Sequence, residues 1–372
     1  MVLLNIENNR GVNCMRLFVM VEPNFKKTAS CELIFKEIKD NLRKKRIAYD
    51  VVDSIQNISA EKEKTFLFLI STNISLIAKT IAECEVKKIH PIVVSLQLLN
   101  SIRGIYSSVT PNIEHSMLRI MKFLTSNHKK APALYGISVE SAPDIARQNC
   151  FLQKHILPTA EKDVYHNKVG LDKCFEAFAA NISDYDCVIC THNYAAIHLI
   201  NKLKEAKFSL EDFIIVSYGQ TLLASKFYPE IISMYVDNES LGKAAITILE
   251  QLQNNYDILH MNMSVKYAIN SDSNILSETI AEYSDVSEQS VSDIFYEDPQ
   301  IQNMLLVEKL LSVCDSTDTL ILNSVLNGDS YEEISNKIFL SYSAVKYRVR
   351  NMIRLCNCIT KGQFIEFIKR YI

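Results

Sequence analysis

The sequence predicts an α/β fold of two lobes built on parallel sheets, followed by a small all-α domain. Three observations point there. Short apolar runs alternate with amphipathic helical stretches from residue 15 to 270, the signature of parallel strands covered by helices on both faces. The runs are more numerous than one compact sheet of that length uses, so they divide between two lobes. Beyond residue 313 the chain turns to short helical segments marked by capping residues and a glycine stop. A chain of 372 residues also exceeds what one hydrophobic core usually holds.

Six runs read as strands: Arg16–Val21, Thr65–Ile70, Pro91–Ser95, Ala133–Ile137, Asp186–Cys190 and Phe213–Ser217. Between most of them lie helical stretches. Glu32–Lys45 carries Leu33, Ile34, Ile38 and Leu42 on one face. Ile113–Asn127 carries Met117, Ile120, Met121 and Leu124, and Tyr194–Ala206 carries Ile197, Ile200 and Leu203. The first lobe spans roughly residues 14–110 and the second roughly 111–235. The chain crosses back near Ile231–Val236 and Leu241–Leu252. Ligands of such sheets bind at the carboxyl ends of the strands.

The resulting division is 1–275 for an effector-binding and dimerisation domain, 276–312 for an acidic linker with a connecting helix, and 313–372 for the helical domain. Residues 271–300 are rich in Ser, Asp and Glu. Ile301–Val313 has helical spacing, suited either to pairing with its copy in a dimer or to forming the outer helix of the C-terminal domain.

Composition excludes several classes. An apolar share of 48% and a charged share of 22% are those of a folded globular protein. No apolar run approaches a membrane span. The N-terminus lacks the basic start and apolar core of a signal peptide, so a cytoplasmic protein is expected. Ten cysteines then read as reduced thiols. Cys187 and Cys190 have metal-pair spacing, but residues three apart on a strand point to opposite faces, and buried thiols are expected. There is no Gly-x-Gly-x-x-Gly, Walker loop or Gly-x-Ser-x-Gly elbow. With eight glycines in the chain, phosphate cradles are not expected. Neither an enzyme, a cofactor nor a metal site is indicated.

The net charge of −3 conceals polarity along the chain. Residues 276–318 carry ten acids against Lys309, whereas residues 337–372 carry eight bases against Glu366. A basic end points to a nucleic-acid contact confined to the C-terminus.

That end has internal detail. Thr317–Leu326 reads as a helix stopped by Asn327-Gly328. Ser330 caps the next helix, with Glu333 completing a capping box. Ile334 and Ile338 face inward, Leu340 fills the turn, and Ser341 caps a third helix. At 100° per residue, Val345, Val349, Met352, Ile353 and Cys356 form one stripe. Ser343, Tyr347, Arg350, Asn351 and Arg354 fall opposite, flanked by Lys346 and Arg348. Arg and Lys donate to guanine edges or phosphate, Asn pairs with adenine, and Tyr packs on a thymine methyl or bonds a phosphate oxygen.

Asp318 to Ile372 resembles the LuxR-type helix-turn-helix domain. The match rests on Ile-Leu-x-x-Val-Leu-x-Gly328-x-Ser330-x-x-Glu333-Ile334, then Leu340-Ser341-x-x-x-Val345-Lys346-x-x-Val349 and Ile353. The resemblance implies base contacts from Lys346, Tyr347 and Arg350, and phosphate contacts around Ser341, Ser343 and Arg354. Two departures stand out. Ala344 replaces the usual Thr and weakens one phosphate contact, and Arg348 replaces the usual His and offers a compensating cation.

Residues 15–270 resemble the sugar-binding half of the lactose-repressor family, which is periplasmic-binding-protein-like. The similarity lies in Asp186–Ala195, Ile214–Gln220, Tyr228–Ser233 and Leu241–Ala245. Those repressors carry their DNA-binding domain at the N-terminus; here it is expected at the C-terminus. The resemblance implies Arg147 as a cleft residue. Asn193 stands where an Asp is usual, and Gly219 where another acid is usual. Their loss argues against an ordinary sugar ligand, while His192, Tyr194 and Tyr218 suit a flatter one. The expected function is a homodimeric, one-component transcription regulator. Its two-lobed part senses a small-molecule effector and controls binding to double-stranded DNA. The alternative is a regulator whose degraded cleft binds no small ligand and serves as a dimerisation or protein-docking scaffold.

Overall fold

The structure, a computed structural model, describes residues 15–58, 64–153, 156–211, 213–255, 257–269 and 294–372. In chain order the elements are β1 (Met15–Val21), α1 (Ala29–Lys44), β2 (Asp50–Val51), β3 (Lys64–Ile70), α2 (Ile74–Val86), β4 (Ile89–Val94) and β5 (Ser107–Pro111). Then follow α3 (Ile113–Ser126), β6 (Pro132–Ile137), α4 (Ala142–Leu152), β7 (Val164–His166), α5 (Leu171–Ala179), β8 (Cys187–Cys190) and α6 (Asn193–Glu205). Next come β9 (Ile214–Tyr218), α7 (Leu222–Ser225), β10 (Ile231–Val236), α8 (Asn238–Asn254), β11 (Asn262–Val265) and β12 (Tyr267–Ile269). The C-terminal helices are α9 (Ile294–Glu297), α10 (Pro299–Val313), α11 (Ser316–Leu326), α12 (Tyr331–Ile338), α13 (Tyr342–Leu355) and α14 (Lys361–Lys369). All six expected strands are present within a residue or two of their expected ends.

The chain forms two compact units. One comprises the residues up to Pro111 together with Asn238–Val265, the other Asn112–Asp237 together with Lys266–Ile372. The crossing back expected near residues 231–252 is therefore present: β10 belongs to the second unit and α8 to the first.

The first unit holds a six-stranded sheet in the order β11-β5-β4-β3-β1-β2, parallel throughout. Phe66 to Ile70 of β3 are wholly buried, because a central parallel strand is covered on both faces and reads as an unbroken apolar run. Thr28 caps α1 by accepting the Cys31 amide at 3.2 Å, and Ile34, Ile38 and Leu42 are its buried stripe. α8 crosses α1 at Gly242. A Cβ there would lie 2.8 Å from Glu37 Cβ and 2.9 Å from the Ile34 carbonyl, so only glycine permits this approach.

The second unit's sheet runs β12-β10-β9-β8-β6-β7. It is parallel except where β12 closes antiparallel on β10. Strand alternation divides its core in two. Cys187 and Ile189 join Met117, Ile120, Leu124, Val216 and Tyr218 on one face. Val188 and Cys190 join Phe178, Tyr194, Ile197 and Ile215 on the other. The two cysteines thus point to opposite faces, and burial pushes both thiols up. Among the described residues no group of His, Cys, Asp or Glu is placed to hold a metal ion.

The second of these cores does not stop at the sheet. It continues through Phe295 and through Ile301, Met304, Val307 and Leu310 of α10 into Ile321, Val325, Ile334, Val345, Val349 and Phe364 of the terminal helices. Residues 294–312, expected as part of an acidic linker with a connecting helix, hold that helix as α10, and it forms a packed joint. The remainder of that linker, 276–293, lies outside the described residues. The dimer-pairing alternative for Ile301–Val313 meets the same obstacle, because its apolar side is buried within its own unit. Each fully buried Leu, Ile, Val or Met contributes roughly 1.5–3 kcal/mol, enough for this side of α10 to hold the joint firmly.

Candidate nucleic-acid interface and strand-end cluster

The terminal helices are fixed by their caps. Asp315 and Asp318 form a capping box at the start of α11. Ser330 and Glu333 form one at α12, at 3.2 and 2.7 Å, as the sequence predicted. Ser341 accepts the Ala344 amide at 3.2 Å and starts α13. Val345, Val349, Met352 and Cys356 are buried; Ile353, expected with them, is half-buried.

The opposite side of α13 faces outward. Ser341, Ser343, Tyr347, Arg350 and Arg354 are exposed, while Lys346, Arg348 and Asn351 are half-buried. Lys346 Nζ lies 5.7 Å from the centre of the Tyr342 ring, and Tyr342 meets Tyr331 edge to face at 6.0 Å. Lys361 Nζ sits 4.6 Å over Tyr331. The face is thus basic and aromatic together.

Arg348 differs from its neighbours. Its Nη1 donates to Asp315 Oδ2 at 2.9 Å and Asp318 Oδ1 at 2.7 Å. The guanidinium therefore holds α13 to the start of α11, where carboxylates also suit the helix dipole. Asp318, then Asp315, raises the Arg348 pKa. This placement corrects the expectation of a compensating DNA cation: the side chain is engaged within the domain.

The candidate effector residues separate into two groups. Arg147, Asn193 and Tyr218 form a polar cluster at the carboxyl ends of strands in the second unit. Arg147 donates to Asp144 at 2.6 Å and to the Thr191 carbonyl at 3.3 Å, and lies 4.3 Å over the Tyr218 ring. Tyr218 Oη pairs with Ser116 Oγ at 3.0 Å. Asn193 Nδ2 donates to Ser217 at 3.0 Å and Ser233 at 2.9 Å. Its Oδ1 has no partner and faces Gly219, where a Cβ would lie only 2.2 Å away. Gly219 has φ +119°, so both backbone and space demand glycine. Arg147 Nε is also unpartnered.

His192 and Tyr194 turn the other way, toward α9. The His192 ring lies 4.8 Å from Tyr194, 5.4 Å from Phe295 and 6.2 Å from Tyr296. Its Nδ1 accepts the Tyr194 amide at 3.2 Å, capping α6. Burial, then Arg147, lowers its pKa to about 4, so the ring is neutral near pH 7. Tyr194 belongs to the core shared with α10. These two are joint residues and not members of the Arg147 cluster.

Sequence reasoning missed two buried acids of that joint. Glu308 accepts the Leu222 and Leu223 amides, each at 2.7 Å, and burial raises its pKa. Asp298 accepts the Leu171 amide at 2.8 Å and caps α10 through the Gln300 amide at 2.8 Å. One signal was available: Glu308 lies in phase with Ile301 and Met304, and an acid on an apolar stripe needs buried donors.

No family model matches this chain, and no curated protein matches it. Solved structures do. A LacI-family regulatory protein from Chloroflexus aggregans superposes with a TM-score of 0.50 at 10% identity, covering 68% of this chain and 96% of that one. A LacI-family regulator, CCPA from Weissella paramesenteroides with bound sucrose, gives 0.49 at 16% identity, covering 68% and 96%. The transcriptional regulator CelR in complex with cellobiose gives 0.49 at 12%, covering 69% and 84%. At these identities the likeness is one of fold: two parallel-sheet α/β lobes of the LacI-family kind, followed here by a helical C-terminal region.

Proposed function

We propose that this protein is a DNA-binding transcription regulator in which α12, its turn and α13 form a helix-turn-helix and α13 enters the major groove. One observation carries this reading. α13 buries its apolar stripe in its own unit while leaving Lys346, Tyr347, Arg350 and Arg354 on the outward side. A groove about 12 Å wide admits such a helix. Ser341 and Ser343 at its start are placed for phosphate, where helix amides favour anions. Arg348 is left out of this contact set. The protein works as a cytoplasmic homodimer reading two half-sites, and no catalytic step is assigned to it.

For the α/β part, the first reading is an effector sensor, supported by the LacI-like fold. An effector shifts DNA affinity only by its differential affinity for two states. The second reading, a ligand-free scaffold, is favoured by the Arg147 cluster, whose polar groups pair largely with one another and with Gly219 close by.

The test is selection from a random duplex pool by the full-length protein, repeated with Lys346→Ala and Arg350→Ala. An enriched sequence whose binding falls roughly 5- to 150-fold in each variant supports DNA reading. Absence of enrichment contradicts it. Calorimetry of a metabolite panel against the bound complex separates the sensor from the scaffold.

A further inference from the structure

Among the described residues, six that are not glycine have positive φ: Arg46, Lys88, His128, Lys207, Phe339 and Asn357. Five are polar or charged. Phe339, in the turn between α12 and α13, alone is apolar, with φ 56° and ψ 39°. Left-handed backbone disfavours any residue with a Cβ. The same chain uses glycine for the comparable stop after α11, at Gly328 with φ 92°. The Phe339 ring is also 94% exposed, and it is the one phenylalanine among the exposed large hydrophobics of the described residues. Neither backbone preference nor burial explains a phenylalanine here.

Its position offers a reason. Phe339 stands two residues before Ser341, the cap of α13, and a recognition helix meets base edges with its N-terminal residues. The neighbouring side chains Tyr342 and Lys346 lie on that same end, so the surroundings are basic and suit a polyanion. We propose that Phe339 is a DNA contact, packing its ring against the 5-methyl group of a thymine at the edge of the half-site. This inference rests on the DNA-reading proposal above.

The experiment compares the full-length protein with Phe339→Gly, using Arg350→Ala as reference, on the duplex the wild-type protein selects and on copies with thymine replaced singly by deoxyuridine. Phe339→Gly relieves the strained backbone, so its melting temperature stays level or rises by about 2–4 °C. Its affinity falls about tenfold or more, the scale of losing a buried phenylalanine contact. One thymine-to-uracil change weakens the wild-type protein about fourfold, one methyl's worth, and leaves Phe339→Gly unaffected. If Phe339→Gly binds like wild type while Arg350→Ala does not, the inference fails and the DNA reading stands. Should every thymine-to-uracil duplex bind both proteins in the same proportion, the thymine contact is overturned. A variant that keeps its DNA affinity but changes oligomeric state assigns the ring to a second copy and also overturns it. No selected duplex at all removes the inference together with the reading it rests on.

Discussion

The outward side of α13 and the strand-end cluster around Arg147 both concentrate polar chemistry, but they treat it in opposite ways. On α13 the cations Lys346, Arg350 and Arg354 make no ion pair with a described residue, and the one neighbour that does, Arg348, is turned to Asp315 and Asp318. In the cluster, Arg147, Asp144, Asn193, Ser217, Ser233, Tyr218 and Ser116 are engaged with one another. An unpaired exposed cation costs nothing to keep and is available to a polyanion. Most buried polar groups find a partner within the fold, as all but Arg147 Nε and Asn193 Oδ1 of the cluster's buried side-chain N and O atoms do. The same residue types are therefore left available on one surface and used for stability in the other.

Substitutions can break this contrast. The largest effect is expected from Arg147→Ala, which leaves the buried Asp144 carboxylate without its cation and strips the Tyr218 ring. Breaking a buried pair costs about 3–5 kcal/mol, measured by urea unfolding of the second unit's signal. Gly219→Ala should follow at about 2–4 kcal/mol, from left-handed strain plus a clash with Asn193. Both variants, where folded, should keep the DNA affinity of the scaffold reading. A lost or altered DNA response instead would mark the cluster as part of a sensor.

Acidification probes the joint. His192 has its pKa lowered to about 4, against about 6.5 when unfolded. Below pH 6.5 the unfolded chain binds the proton more readily, so stability is full above that value and falls as pH drops toward 4. Between pH 7 and 5 the loss from this group is about 2 kcal/mol. His192→Asn, which retains a capping side chain, should flatten that part of the profile in unfolding experiments at the two pH values. An unchanged profile would remove His192 from the acid response.

On the other surface, Lys346→Ala and Arg350→Ala should leave the melting temperature unchanged and cost about 1–3 kcal/mol in specific DNA binding. Arg348→Ala should do little to DNA affinity, since its guanidinium is engaged within the domain, and exposed ion pairs contribute little to stability.

Much of the fold was legible because strand and helix periods are strong signals. β1, β3, β4, β6, β8 and β9 announce themselves as apolar runs, and the opposite facing of Cys187 and Cys190 follows from the period of two. The edge strands β2, β7, β11 and β12 were not legible, being only two to four residues long. The caps of α12 and α13 were readable because Ser330, Glu333 and Ser341 act on amides three residues away. The α10 joint was not, since Asp298 and Glu308 find their amides in α5 and α7, more than 80 residues distant. For the same reason His192, Asn193 and Tyr194, adjacent in sequence, looked like one site. The strand-to-helix turn sends Asn193 to the strand ends and its two neighbours to α9.

Salt titration on the selected duplex tests the DNA claim most directly. Binding constants for the wild-type protein, Arg350→Ala and Arg348→Ala are measured across a salt series. Each phosphate contact contributes about −0.9 to the slope of log K against log salt. Lower affinity for Arg350→Ala with Arg348→Ala indistinguishable from wild type in both affinity and slope is the predicted result; a slope shallower by about one in Arg350→Ala would further place that side chain on a phosphate. Identical affinities and slopes for all three proteins would contradict the assignment of α13 as the DNA-reading helix.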